Sequence, residues 1–160
     1  MQMFRTNMRI AIGGLVAALA LGAASASAAS TTTFRATFHD NGSLATCAPT
    51  AVFCGSGVLV GFGPATTEVH ATSVIPAGDC LIVSGTRAVT LTDGSGSLAM
   101  TFSGTRCPLG EGGHTARILF GWTIVSGTGT FAGATGSGSG INTTAGNVQV
   151  VSMDGTIDLP

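Results

Sequence analysis

The strongest constraint on the fold is an alternation of apolar and polar residues that recurs along the chain. Single polar residues separate Phe34, Ala36 and Phe38, and the same spacing recurs within 98–102 and 116–124. A period of two residues is typical of a β-strand with one buried face, because successive side chains point to opposite faces. Convincing helical spacing is absent after residue 28, so the chain is predicted to be all-β.

Turn-forming residues separate the predicted strands. The segments 86–92 and 97–103 flank Asp93-Gly94-Ser95-Gly96, which predicts a hairpin because glycine accepts the positive φ that short loops require. Further strands are predicted at Gly57–Phe62, Glu68–Val74, Asn147–Ser152 and Gly155–Leu159. About eight to ten short strands at such intervals predict an antiparallel barrel of about eight strands, with a β-sandwich as the alternative.

The first 28 residues have the composition of a secretory signal peptide. Arg5 and Arg9 precede an apolar run that begins at Ile10, and small residues around Ala26-Ser27-Ala28 form a cleavage site. The run is too short for a membrane span, which needs about 20 apolar residues. Residues 29–160 are therefore predicted to form a single secreted β-barrel domain, with no membrane span in the mature protein.

The four cysteines are predicted to form two disulfides, because an even number in an exported chain is typical of a disulfide framework. Of the three possible pairings, the hairpin favours Cys80–Cys107, which would lie at matching heights on its two arms. Cys47–Cys54 is then the second pair. No cysteine spacing matches a zinc motif, so neither a metal nor a cofactor is predicted.

The charge of the mature chain argues against nucleic acid as a partner. Residues 29–160 contain four arginines, no lysine and seven acidic residues, a net charge of −3. Four scattered arginines do not form the basic stripe that binding to phosphates requires. Arg35, Arg87 and Arg117 lie on predicted strands. Outer-face positions are favoured for all three over lumen positions that would grip an anionic group.

The segment that begins at Trp122 indicates a particular kind of barrel. Trp122-Thr-Ile-Val-Ser-Gly-Thr-Gly-Thr-Phe-Ala-Gly-Ala-Thr-Gly136 resembles the GTG-x-F-x-G-A-x-G segment of allene oxide cyclase-like and dirigent-like barrels. The resemblance implies a late, tight hairpin in an eight-stranded antiparallel barrel. It also implies a lumen that holds a small hydrophobic molecule. No other motif matches those families, so no catalytic residue is carried over.

Candidates for acid–base chemistry are few. Glu68 and His70 lie two residues apart on a predicted strand and share a face, as in an acid–base pair or half of a metal site. The alternative is that both belong to the wet outer face. His39-Asp40 and Glu111–His114 are looser versions of the same pairing. Gly127–Ala132 fits the dinucleotide pattern G-x-G-x-x-A but lacks the helix that must follow, so nucleotide binding is rejected.

The leading functional prediction is non-enzymatic binding of a small hydrophobic ligand or of a surface partner, and enzymatic activity is left open. The alternative is a cyclase- or isomerase-like enzyme on a lipophilic substrate, with Glu68 and His70 as weak candidates. A second alternative is an extracellular protein inhibitor that presents the loop Cys107–Gly113 to a protease. The sequence predicts neither the ligand-binding residues nor the oligomeric state.

Overall fold

A computed structural model describes residues 30–42, 47–110 and 114–160, and the regular secondary structure of these residues is entirely β. The strands are β1 (Ser30–Asn41), β2 (Phe53–Leu59), β3 (Gly63–Ala77), β4 (Cys80–Leu91), β5 (Gly96–Pro108), β6 (Thr115–Gly129), β7 (Thr135–Ala145) and β8 (Val148–Leu159). Each strand pairs antiparallel with the next, and β8 pairs with β1 to close a barrel. The predicted all-β fold and eight-stranded antiparallel barrel are confirmed. In the described ranges, no helix has the length and apolar character needed to cross a membrane.

The alternation in the sequence is an alternation of burial in the structure. Phe34, Ala36 and Phe38 are 3% exposed or less, while the residues between them are exposed. Apolar side chains on one face of each strand leave water together when the sheet closes on itself. The predicted hairpin around Asp93-Gly94-Ser95-Gly96 is the β4–β5 connection, where Gly94 has a φ of 75°.

Several predicted strand boundaries are wrong, since β3 extends beyond the predicted Glu68–Val74 at both ends and β4 begins before residue 86. The predicted strand Gly57–Phe62 ends too late, because the chain already turns at residues 60–62, where Gly61 has a φ of 86°. The predicted break between Ser152 and Gly155 does not exist. Asp154 and Gly155 stay in register with β1, so that β8 is one continuous strand.

The two ends of the barrel differ. The β2–β3, β4–β5 and β6–β7 connections lie at one end, which we call the closed end. Phe131 in the β6–β7 connection is fully buried there, and its ring centroid lies 4.9 Å from that of Phe62 in the β2–β3 connection. The other four connections lie at the opposite end, which we call the open end.

The core of the closed half combines large side chains with glycine. Trp122 packs on Phe34 with ring centroids 4.8 Å apart, and its Nε1 donates to the carbonyl of Ser139 at 3.0 Å. Gly138 faces this indole, and a Cβ there would lie 2.6 Å from Trp122 Cζ2. Glycine in β7 therefore provides the space that the tryptophan fills. Other fully buried members of this half are Leu59, Leu98 and Ile157.

Both predicted disulfide pairs are present. Cys47 and Cys54, with Cα atoms 5.5 Å apart, link the β1–β2 connection to β2. Cys80 and Cys107, with Cα atoms 4.4 Å apart, link the start of β4 to the end of β5. The second pair follows from the β4–β5 register, since Leu81 lies opposite Arg106. Both disulfides are at the open end.

Candidate functional site

The open half of the lumen contains a cluster of polar side chains. Its members are 6% exposed or less and project inward from five strands: Asp40 of β1, Thr67 of β3, Arg87 of β4, Asn142 and Thr144 of β7, and Gln149 of β8. Strand alternation places them there. Asp40 follows Phe34, Ala36 and Phe38 on the same face, and Arg87 precedes Val89 and Leu91. We call this set the lumen network.

An ion pair lies at the centre of the lumen network. Arg87 Nη2 donates to Asp40 Oδ2 at 3.0 Å, and Arg87 Nη1 donates to Thr67 Oγ1 at 2.9 Å. The guanidinium also lies over the ring of Phe38, with Cζ 5.3 Å from the centroid. Charge pairing, hydrogen bonding and a cation–π contact together offset part of the cost of burying the arginine.

A chain of amides reaches the same carboxylate from the other side. Gln149 Nε2 donates to Asp40 Oδ2 at 3.1 Å, and Asn142 Nδ2 donates to Gln149 Oε1. Thr144 Oγ1 donates to Asn142 Oδ1 at 3.4 Å. Each donor in the chain points toward the aspartate, and Gln149 joins Arg87 in donating to its Oδ2.

Burial dominates the electrostatics of the ion pair. It raises the pKa of Asp40 above its ordinary value, and the attraction of Arg87 lowers that pKa only in part. Burial likewise lowers the pKa of the Arg87 guanidinium. Asp40 Oδ1 has no hydrogen-bond partner among the described residues and faces β2, where a Cβ at Gly55 would lie 2.8 Å from it. Glycine at position 55 therefore makes room for the carboxylate.

A cavity of about 260 Å³ lies above the lumen network, toward the open end. Its walls are mostly apolar, with Ser84 and Gly146 beside the apolar residues Val52, Phe53, Val69, Ala71, Val83, Phe102, Ile118 and Phe120. Arg87, Asn142, Thr144 and Gln149 form its polar floor, and Arg106 of β5 is a second arginine in its lining. Phe102 and Phe120 meet edge to face, with ring centroids 6.1 Å apart and planes at 70°. The cavity thus offers apolar walls, an aromatic corner and a polar base.

The candidate pair Glu68 and His70 lies outside the lumen. Its side chains are on the outer face of β3, 43% and 31% exposed, with Nε2 of His70 4.0 Å from Oε2 of Glu68. His39 and Asp40 are separated by the wall of the barrel, since His39 is exposed while Asp40 is buried. In the third candidate pairing, Glu111–His114, Glu111 lies outside the described ranges.

The arginines divide between the two faces of the wall. Arg35 is on the outer face, where its side chain is 67% exposed and its Nε lies 3.2 Å from Asp154 Oδ1. Arg117 is also exposed. The outer-face prediction is wrong for Arg87, which is 5% exposed inside the lumen. Its inward position follows from the burial parity of β4, and Asp40 provides the partner that makes the position tolerable.

Sequence reasoning missed most of the residues that form the cavity and its floor. Asn142 and Thr144 continue the inward positions of Gly136, Gly138 and Gly140, so parity alone would have placed them in the lumen. Arg106 continues the inward positions of Phe102 in the same way. The sequence signal for these residues was their position in the alternation along each strand. Every second residue faces the lumen, whether that residue is polar or apolar.

No protein family matches this sequence, and comparisons with curated proteins and with solved structures yield no match. The resemblance to allene oxide cyclase-like and dirigent-like barrels therefore remains a prediction that rests on Trp122–Gly136. The structural part of that segment is a tight connection between β6 and β7, in which Gly129 and Gly133 have φ values of 56° and 75°.

Proposed function

We propose that this protein binds one small ligand in the open half of its barrel and holds it without chemical conversion. The observation that carries the proposal is the cavity of about 260 Å³, with apolar walls above a polar floor. Sites for small molecules usually combine apolar walls with a few fixed polar groups. An eight-stranded barrel is also just wide enough to hold one small ligand.

The arrangement of the floor favours binding over catalysis. Asp40 Oδ2 is engaged by Arg87 and Gln149, and the carboxylate does not line the cavity. A bound molecule would therefore meet amide, hydroxyl and guanidinium groups, rather than a carboxylate that exchanges protons with it. A hydrogen-bonded network of this kind fixes the orientation of its members, which favours selective binding.

We further propose that the protein works outside the cell, after removal of residues 1–28. Two disulfides support this location, because such bonds form and persist in oxidising compartments. Intact-mass measurement of the protein from culture medium tests it. Cleavage after residue 28 and the loss of four hydrogens to two disulfides are the expected results. An uncleaved, cell-retained chain would contradict export without affecting the ligand proposal.

A titration with a neutral apolar probe tests the binding function. We expect 2-phenylethanol to shift the methyl NMR signals of Val69, Val83 and Ile118, which line the cavity. Val83→Trp should abolish these shifts, since the indole would fill the cavity. Ile82→Trp is the matched control, because Ile82 is the preceding residue and is 45% exposed on the outer face.

Folding of both variants is checked by thermal unfolding. If Val83→Trp does not fold, Ala71→Phe replaces it, since Ala71 also lines the cavity and is already exposed at its rim. Spectra of the wild type that stay unchanged with millimolar 2-phenylethanol, phenylacetate, phenylacetamide and octanoate would contradict the proposed function. So would shifts that persist when the cavity is filled.

A further inference from the structure

The two arginines that line the cavity differ in their charge balance. Arg87 is neutralised by Asp40, with 3.0 Å between Nη2 and Oδ2. Arg106 is half-buried, and it has no ion pair or hydrogen bond with any of the residues that the structure describes. Among the residues that the structure describes, Arg106 is therefore the one positive charge in the cavity lining without a carboxylate partner. A half-buried guanidinium favours an anionic partner, and its forked N–H groups suit a carboxylate in particular.

The uncompensated charge lies nearer the mouth than the paired one. Along β5, Met100 is opposite Arg87 and Arg106 is six residues further toward the open end. At about 3.3 Å per residue, this separation is roughly 20 Å of strand. An anionic group at Arg106 would thus sit near the entrance, and the rest of the ligand would extend inward toward the floor.

The wall between these arginines is rich in aromatic rings. Phe53, Phe102 and Phe120 all line the cavity, and Phe102 and Phe120 form an edge-to-face corner there. Aromatic rings prefer offset-stacked or edge-to-face partners. A flat ring satisfies this corner better than a flexible chain, which would also lose rotational freedom on binding.

The volume of the cavity limits the size of the ligand. A volume of about 260 Å³ lies just below the roughly 300–1,000 Å³ of sites that bind drug-sized molecules. Probes of roughly ten non-hydrogen atoms are therefore suited to this cavity.

We propose that the cavity selects a small aromatic monocarboxylate, whose carboxylate binds Arg106 and whose ring packs against Phe102 and Phe120. This inference rests on the proposed function and adds the chemical class of the ligand. It assigns Arg106 as the residue that determines the preference for an anion.

Three probes with the same number of non-hydrogen atoms test the proposal by calorimetric and NMR titration at low salt. Phenylacetate carries both the ring and the charge, phenylacetamide lacks the charge, and octanoate lacks the ring. We expect phenylacetate to bind at least about 10-fold more tightly than phenylacetamide, the difference made by one charged hydrogen-bonding partner. Octanoate should bind more weakly than phenylacetate.

Three arginine variants locate the effect. Arg106→Gln should remove the preference for the acid over the amide, while Arg117→Gln, on the outer face of the neighbouring strand, should retain it. Arg106→Lys keeps the charge but loses the fork, so an intermediate preference is expected and guards against a folding defect in the glutamine variant.

The failures of the two proposals are distinguishable. Equal affinities for phenylacetate and phenylacetamide would overturn the role of Arg106 and leave lumen binding intact. Octanoate binding as tightly as phenylacetate would overturn the selection for a ring. If the wild type binds neither 2-phenylethanol nor any of the other three probes, the proposed function itself is wrong.

Discussion

The closed and open halves of the barrel are built from the same eight strands but solve different packing problems. In the closed half, Phe131 plugs the lumen and Trp122 fills the space left by Gly138. In the open half, a buried ion pair and amides form a floor below a cavity, and both disulfides lie near its mouth. The difference teaches that closure of the sheet does not decide whether a lumen is filled. The size of the inward side chains decides it, and Phe131 from the β6–β7 connection adds to them at the closed end.

The first way to break this contrast is to remove the plug. Phe131→Ala should lower the free energy of unfolding by about 3–5 kcal/mol, because it deletes a fully buried ring at the closed end. Urea unfolding measures the loss. Val125→Ala is the control, since Val125 is 65% exposed and should change stability by less than about 0.5 kcal/mol. Probe binding at the open end should persist under native conditions, and its loss would show that the halves are coupled.

The second experiment removes the cation of the lumen network. Arg87→Met should lower the free energy of unfolding by about 3 kcal/mol, because it leaves the Asp40 carboxylate buried without its partner. The double variant Asp40→Asn/Arg87→Met should recover much of this loss in urea unfolding. A double variant that is as unstable as the sum of the two single variants would contradict the pairing.

The third experiment removes one of the two disulfides at the open end. Replacing Cys47 and Cys54 by serine should cost about 2 kcal/mol, at the low end for a disulfide because the closed loop spans only seven residues. Hydrogen exchange should accelerate in β1 and β2 near the open end and stay unchanged around Trp122. Faster exchange throughout the barrel would instead show that the disulfide supports the whole fold.

The smallest expected effect compares two carboxylates by their response to pH. The pKa of Asp40 is raised by burial, so its contribution to stability is present below pH 3.8 and is lost as pH rises through the folded-state value. The pKa of Asp93, in the β4–β5 turn at the closed end, is lowered by hydrogen bonds from Ser95. Its contribution is present above pH 3.8 and is lost as pH falls through the folded-state value.

Single variants separate these opposite contributions. Relative to the wild type, Asp40→Asn should make the slope of unfolding free energy against pH more positive above pH 3.8. Asp93→Asn should make the slope more negative below pH 3.8. Urea unfolding across the acid range measures both. Identical slopes in wild type and Asp40→Asn would show that burial does not control the titration of Asp40.

The sequence allowed the strands and the disulfides to be predicted because their signals are local. Alternation around Phe38 and the turn at Gly94 each lie within a few residues, and the hairpin then placed Cys80 near Cys107. The lumen network could not be predicted in the same way. An outer face is predicted for Arg87 because arginines on strands more often keep a barrel surface soluble. The partner that offsets part of the cost of its burial, Asp40, is 47 residues away in the sequence.

The cavity depends on information of the same long-range kind. Its lining comes from seven of the eight strands and from connections between them, and its volume is what remains after all those side chains have packed. Alternation predicts that Phe102 and Ile118 face inward. Alternation does not predict that side chains leave a cavity between them, because this depends on the size of every residue that faces the lumen.

The position of the seam between β1 and β8 has a practical consequence. Ser30 lies opposite Leu159, so β1 begins and β8 ends at the closed end of the barrel. Anything attached before Ser30 or after Pro160, such as a fused domain or a solid support, therefore sits at the pole opposite the mouth. Tethered by either terminus, the molecule would direct the mouth of its cavity away from the point of attachment.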